Sequence, residues 1–244
     1  MNSERVIDIV NFLGTLKINS LKFREILDKN KFEKLEIINE ALTHSSTNKE
    51  FNHEKLEFLG DAVLRLSASE FIDNNFKNMS VGNRSELRAQ LVSDEWLTEF
   101  GRKIHIEEAI LVGPKAIGDS YSKDTILAEV AEALIGALYK CFDSVVEINL
   151  WLDQYWLKDS KSILAEPYKY NAKSKLQEWC HSKGKELPKY KISEISKIHG
   201  DKKRFLCELY LEGKLCAISY GQSHKKSEKN AASVAIEKIL KLKA

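Results

Sequence analysis

HEKLEFLGDAVL, residues 53–64, carries three carboxylates, Glu54, Glu57 and Asp61, at the spacing i, i+3, i+7. On a helix that spacing puts all three on one face. Two readings stand for such a stripe: a solvated acidic surface, or a face built to hold something. The residues between the acids are Leu56, Phe58, Leu59, Ala62 and Val63, so the segment reads as a helix wrapped in core. Gly60 in its middle costs about 1 kcal/mol relative to alanine. That cost is understandable where another group must approach the backbone closely.

Further along, TILAEVAEALIGALY, residues 125–139, is apolar apart from Glu129, Glu132 and the weakly acidic Tyr139. This is the composition of a core helix. Two carboxylates three residues apart on such a helix are expected to raise each other's pKa unless a cation neutralises them. The alternative is that this face reaches solvent at both acids. Together the two segments offer five carboxylates. An all-oxygen set suits a hard cation such as magnesium, which keeps several waters and binds substrate phosphate. A pair of such ions would activate water and steady the leaving oxygen in phosphodiester hydrolysis. HEKLE also resembles the zinc-protease pattern HExxH, but Glu57 stands where the second histidine is required. The histidines at 44, 105, 181, 199 and 224 show no ligand spacing.

Around these segments, residues 1–160 read as helical. Phe32, Leu35, Ile38, Ala41 and Leu42 keep helical spacing. Glu54–Ile72, Asn83–Ile104, Thr125–Phe142 and Val145–Lys158 are helix-compatible, and no alternating strand pattern appears. Residues 78–82 and 113–123 carry turn formers. The boundaries read as a domain over 1–160, a linker over 161–170 punctuated by Pro167, and a second domain over 171–244. In the second domain Ala172–Ser182 suits a short helix. Tyr190–Ser196, Arg204–Leu211 and Lys214–Tyr220 have strand character, with Glu212–Gly213 as a hairpin signal. An amphipathic helix over Lys225–Lys241 closes the chain. The fold class is thus an all-α domain followed by an α+β domain of order α-β-β-β-α.

The net charge of +2 conceals a split. Residues 168–244 hold 18 Lys/Arg against 8 Asp/Glu, a balance of +10; residues 1–167 balance at −8. Such asymmetry suggests two domains with different partners, the basic one suited to phosphates. The four cysteines, at 141, 180, 207 and 216, form no CxxC pair, which fits free thiols in a reducing compartment. No secretory signal and no stretch long enough to span a bilayer is evident. The expectation is a cytoplasmic protein without a membrane partner.

With these residues in hand, HEKLEFLGDAVL closely resembles the ribonuclease III signature, usually NERLEFLGDAVL. ALTHSS at 41–46 resembles that family's ALTHRS. LRAQLVS at 87–93 and ILAEVAEALIGALY at 126–139 match further blocks in the same order. The resemblance implies an all-α endonuclease domain that hydrolyses double-stranded RNA with Mg2+, for which Mn2+ substitutes, and no small-molecule cofactor. It implies an obligate homodimer with one catalytic centre per subunit and products with 5′-phosphates and 3′-hydroxyls. The processing of ribosomal and messenger RNA is the corresponding cellular work. In that scheme Glu57, Asp61 and Glu132 are catalytic, Glu57, Asp61, Glu129 and Glu132 hold metal, and Glu54 helps the subunit contact. Leu56, Phe58 and Leu59 supply the dimer face or the core.

Two departures stand out. The family has aspartate where this chain has Glu129, and the extra methylene moves the carboxylate about 1.5 Å, roughly one C–C bond. It could reach an ion directly or through water. Val81 replaces an acid before Gly82. A catalytically silent double-stranded-RNA-binding protein that keeps the fold is the alternative reading.

The C-terminal unit resembles a double-stranded-RNA-binding domain, which reads A-form shape, 2′-hydroxyls and phosphates over about 16 base pairs. SKLQEW at 174–179 matches its first helix, with Ser174, Gln177, Glu178 and His181 on one face. GQSHKKSEKNAA at 221–232 resembles the start of its second helix, where Lys225, Lys226 and Lys229 would meet phosphates beside free N–H groups. His224 replaces the usual first lysine. In the loop SKIHGDKKR, 196–204, His199 takes the place of the histidine in the family's GPxH.

Overall fold

The computed structural model describes residues 1–18, 20–27, 32–114, 120–165, 172–198 and 201–241. They form two compact units, Met1–Lys161 and Ser162–Ala244.

Helices α1 (Ser3–Thr15), α2 (Leu21–Ile26), α3 (Phe32–Ala41), α4 (Glu54–Asn75), α5 (Val81–Leu91), α6 (Asp94–Lys103), α7 (Ser120–Phe142) and most of α8 (Val146–Ala165) carry the first unit. The apolar helix α7 is its axis: Val130, Ala131, Ala133, Leu134, Ile135, Ala137 and Leu138 are fully buried. An aromatic cluster closes one flank, with Trp96 stacked on Phe100 at 5.0 Å and Phe71 against Trp156 at 5.5 Å.

The sequence suggests one long helix over Asn83–Ile104; the chain instead breaks at Val92–Ser93. The Ser93 hydroxyl accepts from the Trp96 N–H at 3.2 Å, starting α6 afresh. Val81 and Gly82, expected in a turn, form the first turn of α5, because Ser80 caps it by accepting from the Asn83 N–H. Helix α8 runs through Ala165, beyond where helical spacing was expected to end. Residues 166–171 lie outside the described residues.

The second unit contains α9 (Ala172–Ser182), strands β1 (Lys189–Glu194), β2 (Phe205–Leu211) and β3 (Lys214–Gly221), and α10 (His224–Lys241). The strands form an antiparallel sheet of order β1-β2-β3. Glu212 and Gly213 both have positive φ, 50° and 77°. That pair of left-handed residues makes a two-residue loop whose twist matches its flanking strands, and it fixes Leu211 opposite Lys214. Ala172 and Leu176 of α9, Cys207 and Leu209 of β2, Ala217 of β3 and Ala231, Ala232, Ala235 and Ile236 of α10 make one buried core. All four cysteines are free thiols.

Candidate active site

Helices α4 and α7 meet backbone to backbone, and two glycines make this possible. A Cβ at Gly60 would lie 2.0 Å from the Glu132 carbonyl oxygen. A Cβ at Gly136 would lie 2.2 Å from the Leu56 carbonyl oxygen and 3.0 Å from the Gly60 nitrogen. Only hydrogen fits at either position. The mid-helix glycine therefore serves the crossing of the two acid-bearing helices, and the crossing sets Glu132 of α7 beside Glu57 and Asp61 of α4.

The electrostatics follow from that placement. Burial pushes the Glu132 carboxyl up to about 7, and the charges of Asp61, Glu57 and Asp94 act in the same direction. Burial, then Glu129, raises Glu57. Asp61 is engaged by Arg65, whose Nε donates to its carboxylate at 2.6 Å one turn along α4. Both partners are substantially solvated, so this contact is a weak restraint. Glu54 is exposed at the start of α4.

Glu129 departs from the expectation that both α7 acids would be raised. Its pKa is lowered, chiefly by the nearby His53, with the hydrogen bond from His44 acting in the same direction. Glu129 Oε2 lies 3.3 Å from His44 Nε2 and 3.6 Å from His53 Nε2. His53 Nε2 is also 3.3 Å from Glu57 Oε2. The two rings stack with centroids 4.7 Å apart, and burial followed by His53 lowers the His44 pKa. The strand-like segment before α4 holds them. His44 N–H donates to Leu111 O at 2.9 Å, Leu111 N–H to Leu42 O at 2.8 Å, and His53 N–H to Thr43 O at 2.9 Å.

His44, His53 and Asp94 are the site residues that residue spacing did not bring forward. His44 lies in ALTHSS and His53 opens the HEKLEF block, so the sequence did point to both segments. The helix is also less wrapped in core than its composition suggests. Leu56 and Val63 are buried and Leu59 is half-buried, but Ala62 is exposed and Phe58 is 84% exposed.

In the second unit Ser174, Gln177, Glu178 and His181 are all exposed along α9. Glu178 accepts from Lys175 at 3.2 Å. His224 and Lys225 are exposed at the start of α10, with Lys226 and Lys229 half-buried. Ser223 caps this helix, accepting from the Lys226 N–H at 3.2 Å. The His224 ring meets Phe205 edge-on at 4.4 Å. A Cβ at Gly221 would lie 2.3 Å from the Ser227 nitrogen, so glycine is needed where β3 passes α10. His199 lies outside the described residues.

An acid-lined crossing in a helical domain, followed by an α-β-β-β-α domain with lysines at a helix start, defines a two-domain nuclease architecture. Residues 34–147 match the family model described as Ribonuclease-III-like, and residues 172–239 match the Double-stranded RNA binding motif. The chain is 48% identical over 239 residues to Ribonuclease 3 of Prochlorococcus marinus, covering 98% of this chain and 96% of that one. It is 35% identical to Ribonuclease 3 2 of a Nostoc species, covering 83% and 84%. The nuclease domain of ribonuclease III from Campylobacter jejuni aligns with TM-score 0.48 and 29% identity, over 63% of this chain and 95% of that one. The chain belongs to the ribonuclease III family. No helix among the described residues is long and apolar enough to cross a membrane.

Proposed function

We propose that this enzyme hydrolyses double-stranded RNA with divalent metal at Glu57, Asp61 and Glu132, leaving 5′-phosphate and 3′-hydroxyl ends. The observation that carries the reading is the glycine-mediated crossing. It buries Glu132 and sets Asp61 and Glu57 beside it, so that the Glu132 carboxyl is raised to about 7. A carboxyl so perturbed beside other carboxylates is the pattern of a functional site. The donor set also fits the ion: carboxylate oxygens, with the exposed Arg65 at Asp61 and His53 at Glu57 beside them, suit a hard cation such as Mg2+, with Mn2+ as substitute. Bound there, the metal would acidify water and stabilise charge developing on the phosphodiester.

The chain's own residues divide the remaining work. Glu57, Asp61 and Glu132 would hold the cation, and Glu132 would release its proton on binding it. Glu129, held by the histidines, stands at the rim of this set. Phe58, apolar and exposed one residue beyond Glu57, suits burial against a second copy, so the working form is a homodimer with Glu54 near the contact. Ser174, Gln177, Glu178 and His181 suit the minor groove, and Lys225, Lys226 and Lys229, with His224 and His199, suit the phosphates.

The test is cleavage of a long RNA duplex with and without Mg2+ or Mn2+. The wild type cuts only with metal, and Glu132→Ala abolishes cutting while retaining duplex binding. A wild type that binds duplex and cuts with neither ion is a binding protein, and this reading fails.

A further inference from the structure

His44, His53 and Glu129 bring their ligand atoms within 4.8 Å of one another, an arrangement that resembles a two-histidine, one-carboxylate metal triad. The hydrogen bonds on the far sides of the rings argue otherwise. His44 Nδ1 accepts from the Ser46 N–H at 3.1 Å, and His53 Nδ1 accepts from the Ser45 N–H at 3.2 Å. The Ser46 hydroxyl oxygen accepts from the Gly113 N–H at 2.9 Å and lies 2.8 Å from His44 Nδ1, where it can donate its proton to that nitrogen.

A ring nitrogen that accepts an N–H carries no proton. Each neutral ring therefore bears its proton on Nε2, the atom that faces the carboxylates. To ligate a metal through Nε2, the proton would have to move to Nδ1, directly against a backbone N–H. The backbone amides cannot change tautomer, so they fix both rings as donors.

We propose that His44 and His53 are positioning residues, a stacked pair of neutral Nε2–H rings of which His44 donates to Glu129 at 3.3 Å and His53 sits between Glu57 at 3.3 Å and Glu129 at 3.6 Å, holding the Glu129 carboxylate at the rim of the acidic cluster so that a glutamate serves where the family signature has aspartate. This rests on the reading of Glu57, Asp61 and Glu132 as a cation site. A second observation supports it. His53 stands where the signature has asparagine, and Glu129 stands where it has aspartate. These two departures face each other, with His53 Nε2 3.6 Å from Glu129 Oε2 and 3.3 Å from Glu57 Oε2. The longer acid and the larger donor read as a matched exchange across 76 residues of chain, from 53 to 129.

Long-range 15N–1H spectra of the metal-free, histidine-labelled full chain test the tautomers, with signals assigned by loss in His44→Leu and His53→Asn. Both rings are expected as the neutral Nε2–H form. The Nδ1–H form, or Zn2+ shifting Nε2 as a ligand does, overturns the proposal.

Mn2+ uptake in the absence of RNA, read by electron paramagnetic resonance, tests the positioning. His53→Asn and Glu129→Asp should each weaken uptake about tenfold, the usual cost of removing a group that orients a ligand. The double variant H53N/E129D should recover most of the loss. In duplex cleavage the single variants should lower kcat with little change in KM. His44→Gln, which keeps an N–H donor near the Nε2 position, should retain Mn2+ uptake where His44→Leu loses it, with thermal unfolding confirming that both fold. Wild-type uptake with unaffected or strictly additive variants overturns this inference alone. A wild type that takes up no Mn2+ overturns the metal-nuclease reading and this inference with it.

Discussion

Replacing Glu132 by glutamine should stabilise the metal-free protein, and the gain should depend on pH in a defined direction. The folded-state carboxyl is raised from its ordinary 4.5 to about 7. The unfolded chain therefore releases this proton more readily than the folded one. Its contribution to stability is intact below about pH 4.5 and is lost as pH rises through 7. A shift of about 2.5 units at about 1.36 kcal/mol per unit sets a ceiling of about 3.4 kcal/mol near pH 8. The site is only half-buried, with solvent around it. Screening brings the expected gain for Glu132→Gln to about 1–2 kcal/mol.

For a unit of this size that is a rise of about 2–8 °C in Tm. Trp96, Trp151 and Trp156 lie in the nuclease unit and only Trp179 in the second, so tryptophan fluorescence is dominated by unfolding of the nuclease unit. The gain should shrink to about a quarter by pH 5, as the linkage relation requires. Millimolar Mg2+ should raise the wild-type Tm near pH 8 and leave the variant nearly unmoved. A glutamine variant that is less stable, or whose gain is the same at pH 5 and pH 8, would refute the claim that the crossing holds uncompensated charge.

Other expectations follow from particular contacts. Gly60→Ala should abolish cleavage and destabilise the nuclease unit by about 3 kcal/mol, since its Cβ would overlap the Glu132 carbonyl. Gly82→Ala in α5, with nothing near its Cβ, should instead stabilise by up to about 1 kcal/mol; chemical denaturation measures both. Phe58→Asp should leave the circular dichroism spectrum and Tm unchanged but shift the protein to monomer in sedimentation velocity. A dimer that persists would remove Phe58 from the interface. The double variant K225A/K226A should weaken duplex binding and reduce the slope of log affinity against log salt by about 2, as for two lost phosphate contacts.

Much of the architecture is written in local sequence because local geometry fixes it. The apolar run at 125–139 becomes the axial helix, since only a buried helix accommodates that composition. Ala172–Ser182 is helical over the span its pattern indicates, and Glu212–Gly213 makes the hairpin because its two left-handed residues suit the turn. The Val92–Ser93 break was obscured because hydrophobic spacing continues across it. A single capping hydroxyl decides the matter, and helix periodicity does not register it.

The candidate site divides along the same line. Sequence alone determined which carboxylates share a face of α4 and which pair lies on α7, because helical periodicity fixes side chains three and four residues apart. It also suggested that Gly60 marks a close approach, but not that the group approaching is the Glu132 backbone. Only the tertiary structure decided how the acids are partnered: Glu132 with Asp61 and Glu57, and Glu129 with two histidines from a segment pinned to Leu111. The histidines and Glu129 are distant along the chain, and no periodicity relates them. Their meeting depends on backbone hydrogen bonds at Thr43 and Leu111 and on the absence of side chains at two glycines.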